Sequence, residues 1–200
     1  WCNPKIWNII DNDRILYLKD TKYGLNNGCF IIGSFIRDTE RTGEPKLEKG
    51  PDIFIKMISH YRKILDTTKY RDIHVVLTGF RRQWTINRLK EMGVGYSYFE
   101  MVNQNDINEL YNIIDLYIVS SRVEGGPQSL MEASLTKCPI ITTCVGNSKQ
   151  IINSNSIYDY TQIDDEYFKY PKTDVNGNFN RVMKYAISNY MYKFNQIFMV

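Results

Sequence analysis

Short apolar runs alternate along the chain with segments that have the spacing of amphipathic helices. The clearest apolar runs are 29–35, 73–78 and 116–119, each followed by turn or small polar residues, as buried strands are. Two weaker runs, 96–100 and 139–143, are also predicted to be strands. This regular alternation of strand and helix is typical of βαβ units that build a parallel sheet. Right-handed crossovers then predict a doubly wound, Rossmann-like α/β fold.

The helical segments lie between these runs and several have recognisable start signals. One begins at Pro51, because proline is favoured in a first helical turn. Others are predicted at 84–92, from Pro127, and after Asp106 and Glu109, which resemble a capping box. The last predicted helix carries an apolar stripe made of Met183, Ala186, Tyr190, Phe194, Ile197 and Phe198.

The first part of the chain does not follow the alternation. We expect residues 1–28 to form a separate N-terminal segment and residues 29–200 to form the Rossmann-like domain with its C-terminal helix. Within the segment, residues 14–19 are interpreted either as an extra strand or as the tail of a preceding domain. The chain begins at Trp1, without a signal peptide, so we expect a fragment or processed form whose absent neighbour holds part of the site.

Composition excludes some functions. The 25 basic and 22 acidic residues give a net charge of +3, too small to indicate a nucleic-acid partner. No apolar run approaches the ~18 residues of a membrane span, so no transmembrane segment is predicted. The four cysteines contain no C-x-x-C pair, and the chain has only two histidines, so a metal site is unexpected. The use of cysteine favours a reducing, cytoplasmic compartment.

The loop after the strand 116–119 has the richest chemistry. In doubly wound sheets, ligands bind beyond the carboxyl ends of the strands. Gly125 and Gly126 allow a ligand to approach the backbone, and the helix that starts at Pro127 attracts an anion such as a phosphate. Gln128 and Glu132 are four residues apart and share a helix face, where a carboxylate can accept two ribose hydroxyl hydrogen bonds.

The sequence of this loop, S-R-V-E-G-G-P-Q-S-L-M-E-A, resembles the donor site of retaining GT-B glycosyltransferases of family four, the group 1 glycosyl transferases. Further segments similar to that family follow in its order. They are residues 33–40, 46–52, 77–79, 115–121 and 139–146. The resemblance covers about residues 29–152 and implies the second, nucleotide-sugar-binding domain of such an enzyme.

The resemblance also implies roles for individual residues. Glu132 would bind the ribose, and Glu124 would contact the transferred sugar as the catalytic carboxylate. Arg37 and Lys49 would neutralise the diphosphate, an assignment with physical sense because charge grows there as the glycosidic bond breaks. The family keeps its arginine closer to the Lys-Gly pair, so Arg41 competes with Arg37. Two cations and a helix N-terminus would take the place of a metal, and no cofactor is implied.

The function predicted from this resemblance is donor binding in a retaining, metal-independent glycosyltransferase. The donor is a nucleoside-diphosphate sugar, and the acceptor is an unknown carbohydrate, lipid or protein. A missing N-terminal domain would hold that acceptor, so we expect the isolated chain to have little activity. Two alternatives stay open: a sugar-nucleotide epimerase of the same architecture, and a non-catalytic nucleotide-binding module.

Two more segments follow predicted strands. Arg81 and Arg82 are expected to form a solvated pair rather than to touch phosphate or acceptor. Residues 99–101 are interpreted either as a contact for the nucleobase or as part of the core.

Overall fold

The chain folds around a parallel sheet with helices on both faces. The computed structural model describes residues 2–25, 28–166, 168–189 and 191. Within this part of the chain, six parallel strands form one sheet in the order β3-β2-β1-β4-β5-β6. The strands are β1 (Phe30–Phe35), β2 (Ile73–Thr78), β3 (Gly95–Phe99), β4 (Leu116–Val119), β5 (Ile140–Thr143) and β6 (Ile157–Tyr158). The predicted doubly wound, Rossmann-like α/β fold is confirmed.

Helices precede, connect and follow the strands. They are α1 (Asn12–Tyr17), α2 (Pro51–Ile64), α3 (Gln83–Glu91), α4 (Gln104–Ile113), α5 (Gln128–Leu135), α6 (Ser148–Ile151) and α7 (Val175–Met183). Shorter turns include a 3₁₀ turn at Leu47–Lys49 and a π-helical turn at Leu18–Lys22. Helices α2 and α3 pack on one face of the sheet, and α4, α5 and α7 pack on the other.

The strands contribute to two separate cores because successive side chains point to opposite faces. Ile31 joins the core beneath α4 and α5, while its neighbour Ile32 joins the core beneath α2 and α3. Both side chains are almost fully buried. Burial on both faces explains why the strands are continuous apolar runs in the sequence.

The strand order reverses at β1, which pairs with β2 on one side and β4 on the other. The loops after β1 and β4 therefore meet at the carboxyl edge of the sheet. Gly50 lies at this meeting point with φ of +62°, and a Cβ there would come within 1.9 Å of the carbonyl oxygen of Ser120. Only glycine allows both the left-handed backbone and this close approach. The fold thus creates the crevice where ligands bind in open α/β sheets.

The N-terminal segment contains a helix, so the first of the two interpretations of residues 14–19, an extra strand, is wrong. Asp11 caps α1 by accepting a hydrogen bond from the backbone N–H of Arg14, and the π-helical turn continues the helix. Leu18 is fully buried, and Arg14 forms an ion pair with Glu109 at 2.8 Å. The segment's six-residue helix is too short to leave a clear periodic pattern, which is why its sequence was ambiguous.

The predicted capping pair at the start of α4 is also wrong. Asn103 is the cap, since its side chain accepts from the backbone N–H of Asp106. The carboxylates of Asp106 and Glu109 instead bind the Lys22 ammonium, at 2.6 and 2.5 Å. The acidic pair therefore attaches the N-terminal segment to α4.

The C-terminal stripe is only partly described. Helix α7 ends at Met183, and Ala186 forms an isolated parallel bridge with Cys2. The predicted stripe residues Tyr190, Phe194, Ile197 and Phe198 lie outside the described residues. In the part of the chain that is described, no helix combines the length and the apolar character needed to cross a membrane.

Candidate functional site

A cavity of about 290 Å³ opens at the carboxyl edge of the sheet. The loops after β1, β2 and β3 form one side of it, and helices α4 and α5 form the other. Its charged lining residues are Arg37 after β1, Glu100 after β3 and Glu132 on α5. One cation and two carboxylates therefore share this cavity.

Glu132 lies on the wall of the cavity in a half-buried position. Burial raises the pKa of its carboxyl group to about 6, and a hydrogen bond from the Tyr111 hydroxyl to Oε2, 3.3 Å long, opposes that shift. Gln128, one helical turn earlier, lines a neighbouring cavity of about 320 Å³ together with Glu132. The predicted shared face of Gln128 and Glu132 is present.

The insertion between the two basic positions folds into a hairpin. Thr39 and Pro45 pair in an antiparallel bridge, and the backbone N–H of Lys46 donates to the carbonyl oxygen of Asp38 at 2.8 Å. Arg41 lies at the exposed turn of this hairpin and is not among the cavity-lining residues, whereas Arg37 is. The hairpin returns the chain to its starting point, so the insertion does not displace Arg37 from the cavity.

Lys49 and Glu124 form an ion pair of 2.7 Å, although 75 residues separate them. The Ser121 hydroxyl donates a second hydrogen bond to the same oxygen of Glu124, at 3.0 Å. Both charged side chains keep partial access to solvent, at 26% for Lys49 and 18% for Glu124. The N-terminus of α2 carries a partial positive charge, which disfavours a lysine beside it unless an anion is near, and Glu124 supplies that anion.

Arg122 fixes the loop that carries Glu124. Its guanidinium binds both carboxylate oxygens of Asp52, at 2.8 and 2.5 Å, and donates to the carbonyl oxygen of Leu47 at 2.7 Å. The backbone N–H of Arg122 also donates to the carbonyl oxygen of Glu48. These contacts attach the β4–α5 loop to the turn that carries Lys49, so the segments of both partners of the ion pair are joined by further hydrogen bonds.

The two glycines lie at the open end of the same loop. Among the described residues, and apart from its two chain neighbours, no atom lies within 4 Å of where a Cβ of Gly125 would be. A Cβ on Gly126 would lie 3.6 Å from the Asn147 side chain. Helix α5 begins at Gln128 with Pro127 as its cap, and no side chain caps its first turn. The backbone N–H groups of that turn can therefore accept an anion.

Arg82 is fully buried, so the prediction of a solvated pair is wrong for this residue. Its Nε donates to Asp38 Oδ2 at 2.8 Å, and its Nη1 donates to the carbonyl oxygens of Thr78 and Ser34. Burial lowers the pKa of Arg82, and the Asp38 carboxylate opposes that shift. The pair joins the ends of β1 and β2, and Asp38 directly follows Arg37 in the chain. Sequence reasoning missed it because no local pattern relates residues 44 positions apart.

Residues 99–101 have different surroundings, so neither interpretation, a nucleobase contact or a part of the core, fits the whole segment. Phe99 packs edge-on against the Tyr23 ring, with ring centres 5.4 Å apart, and belongs to the core. Met101 lines the cavity and is 82% exposed. Glu100 and Met101 are thus placed to contact a ligand, and Phe99 is not.

None of the four cysteines, all of them in the described part of the chain, forms a disulfide. Among the described residues, no group of three or more histidine, cysteine, aspartate or glutamate side chains could hold a metal ion.

Comparison with known proteins identifies the family. The model of the group 1 glycosyl transferases matches residues 43–165, more than half of the chain, so the chain belongs to this family. The predicted family and its GT-B architecture are confirmed. No curated protein matches the chain in sequence.

Solved structures of similar fold agree with this family. The C-terminal domain of a group 1 glycosyl transferase (LpcC) from Francisella tularensis matches with 21% identity and a TM-score of 0.65, over 94% of this chain and 100% of that domain. HepE from Anabaena, in complex with UDP and glucose, matches with 13% identity and a TM-score of 0.68, over 98% of this chain and 55% of HepE. A glycosyltransferase from Rickettsia africae matches with 18% identity and a TM-score of 0.68, over 98% of this chain and 54% of that protein. The chain therefore spans one domain, about half the length of the longer relatives.

Proposed function

We propose that this chain binds a nucleoside-diphosphate sugar, as the donor-binding domain of a retaining glycosyltransferase that needs no metal. The observation that carries the proposal is the single cavity that joins Arg37, Glu132 and the start of α5. An arginine suits a diphosphate because its planar group can donate two parallel hydrogen bonds. A carboxylate one turn into the helix suits the ribose hydroxyls. HepE, which has a similar fold, was solved with UDP and glucose.

The Lys49–Glu124 pair gives the proposal its chemical step. When the diphosphate leaves, negative charge grows on its oxygens and positive charge grows on the sugar ring. Lys49 can neutralise the first charge, and Glu124 can hold a sugar hydroxyl and stabilise the second. Lys49 and Glu124 contact each other at 2.7 Å, so a donor that binds between them must take over part of their interaction. The acceptor hydroxyl then attacks on the face that the diphosphate left, so a bond from the sugar to the acceptor oxygen replaces the bond to the diphosphate, and the hydroxyl proton passes to the departing diphosphate.

The rest of the enzyme would correspond to the half of the longer relatives that this chain does not span. That half is the proposed N-terminal domain, which would hold the carbohydrate, lipid or protein acceptor. We also propose that the enzyme is cytoplasmic, a location in which cysteines stay reduced. On this proposal the isolated chain binds the donor but transfers little sugar.

Titration calorimetry with UDP, GDP, ADP and their nucleosides tests the proposal. We expect at least one diphosphate to bind, and Glu132→Ala to weaken it about ten- to a hundredfold, because hydrogen bonds to a charged group are lost. Glu91→Ala is the matched control, since Glu91 is an exposed carboxylate on α3 that pairs with Arg88. Unchanged affinity in Glu132→Ala would contradict the ribose role.

Activity of the full-length protein separates the remaining alternatives. Release of free sugar or transfer to an acceptor from a nucleotide sugar is expected for a glycosyltransferase. Binding without any turnover would favour the non-catalytic module, and inversion at the sugar of the intact donor would favour the epimerase.

A further inference from the structure

The cavity contains a carboxylate to which the proposed function gives no role. Glu100 lies directly after β3 and lines the cavity together with Met101 and Val102. Its side chain is exposed, and among the described residues no lysine, arginine or histidine forms an ion pair with it. A negative charge on a cavity wall without a cationic partner is suited to a ligand that offers hydrogen-bond donors.

Glu100 is held in place by its neighbours. The Tyr98 hydroxyl lies 3.1 Å from Glu100 Oε1 and 3.0 Å from the carbonyl oxygen of Gly79. Burial and the nearby carboxylate raise the pKa of Tyr98 to about 12, so its hydroxyl stays protonated and can donate. The backbone N–H of Gly79 donates to the carbonyl oxygen of Glu100 at 3.2 Å. These contacts use one carboxylate oxygen; in the described part of the chain no hydrogen bond to the other is present.

The arrangement of the charged groups places this carboxylate at the base end of a bound nucleotide. Arg37 and the first turn of α5 suit the diphosphate, and Glu132 suits the ribose. The base then extends toward the remaining wall, after β3, which is two strands away from β1 in the sheet. That wall offers the apolar side chains of Met101 and Val102 for the flat face of a base. The Glu100 carboxylate is then in position to accept hydrogen bonds from the edge of the base.

The nucleobases differ in what they present to a carboxylate. Guanine offers two adjacent donors, its N1–H and its 2-amino group, which match two carboxylate oxygens. Uracil offers one N–H between two carbonyl oxygens, and these would face the negative charge. Adenine and cytosine offer an amino group beside a ring nitrogen that is an acceptor. Only guanine makes two charge-assisted hydrogen bonds to a carboxylate without a repulsive neighbour.

We propose that the donor is a guanosine-diphosphate sugar and that Glu100 recognises the guanine edge. This inference rests on the proposed function, because it needs the nucleotide in this cavity. It adds the identity of the base, which neither the family nor the fold determines. The choice matters because charged groups set to pair with donors discriminate strongly against ligands that lack them.

Calorimetry with four nucleoside diphosphates tests this inference. We expect GDP to bind the unmodified chain about ten- to a hundredfold more tightly than UDP or ADP. Inosine diphosphate, which lacks only the 2-amino group, should fall between GDP and UDP. This series needs no variant and is therefore independent of any folding defect.

The variant Glu100→Gln tests whether Glu100 causes the preference for GDP. We expect it to bring GDP affinity down toward that of UDP while UDP affinity stays within a few-fold of its original value. Glu91→Gln, on the exposed surface of α3, is the control and should leave the order of the four ligands unchanged. Melting temperatures of both variants show whether the fold is intact.

The outcomes distinguish this inference from the proposed function. If UDP or ADP binds most tightly and Glu132→Ala abolishes that binding, the donor site stands and the guanine assignment is overturned. If GDP is preferred but Glu100→Gln keeps the full preference, recognition by Glu100 is overturned. If no nucleoside diphosphate binds, the proposed function fails and the inference fails with it.

Discussion

Replacing Glu132 with glutamine should change stability in a way that depends on pH. The carboxylate is half-buried, and burial raises its pKa to about 6. Above that pH the folded chain must hold a poorly solvated charge. Glutamine keeps the size of the side chain and an oxygen that can accept from the Tyr111 hydroxyl, but it removes the charge.

The two pKa values of Glu132, in the unfolded and the folded chain, give the magnitude and the sign of this effect on stability. A rise from 4.5 in the unfolded chain to about 6 in the folded chain corresponds to about 2 kcal/mol. The folded state binds the proton more tightly, so this contribution to stability is present below pH 4.5 and is lost as the pH rises through 6. The free energy of unfolding of Glu132→Gln, relative to the original chain, should therefore be about 2 kcal/mol higher at pH 7.5 than in acid.

Urea denaturation of both chains at pH 4.5 and pH 7.5 measures this difference, with Glu91→Gln as the exposed control. Most of the 2 kcal/mol should appear between the two pH values for Glu132→Gln and little of it for the control. An equal difference at both pH values would refute the reasoning, because it would show that the Glu132 charge is not desolvated. Loss of nucleotide affinity in the same variant would show that binding, not stability, explains a charged residue there.

The other predictions concern the two buried or partly buried ion pairs and one glycine. Lys49→Ala should weaken nucleoside-diphosphate binding more than nucleoside binding in calorimetry, and an equal loss for both would show that Lys49 does not contact phosphate. Glu124→Gln in the full-length enzyme should lower kcat roughly 10²-fold with little change in the donor KM; lower melting temperature with normal kcat would make Glu124 a structural residue. Gly50→Ala should cost more than about 1–2 kcal/mol in urea denaturation, because its backbone is left-handed and its Cβ would meet a backbone carbonyl. Arg82→Met should cost about 3–5 kcal/mol, since it leaves the buried Asp38 carboxylate unpaired, and adding Asp38→Asn should restore part of that loss.

The strands could be predicted from the sequence because their signal is local. The runs at Ile73–Thr78 and Leu116–Val119 match β2 and β4 residue for residue. A strand that is buried on both faces is mostly apolar, as Ile73–Thr78 is apart from His74 and Thr78, so its composition contains most of the signal. The start of α2 at Pro51 was predictable for a similar reason, since proline at a first helical position needs only its own backbone geometry.

The candidate site was predictable in part. The shared face of Gln128 and Glu132 follows from helix periodicity alone, and both residues line the neighbouring cavity of about 320 Å³. Of the two, Glu132 lines the proposed donor cavity. The roles of Lys49 and Glu124 came from the family resemblance, residue by residue. Their contact across 75 positions is a property of the folded chain, because it depends on how the loops after β1 and β4 meet.

The sequence by itself determined the alternation of strands and helices, the parallel sheet and the position of the loop that is proposed to bind the donor. Each of these depends on periodicity or on the backbone preferences of a few neighbouring residues. Tertiary structure alone decided that Arg82 is buried against Asp38, that Asp106 and Glu109 bind Lys22 instead of capping α4, and that residues 14–19 are helical. A charged residue looks the same in the sequence whether its side chain is exposed to water or is paired with a carboxylate far along the chain. Its partner is determined only when the chain folds.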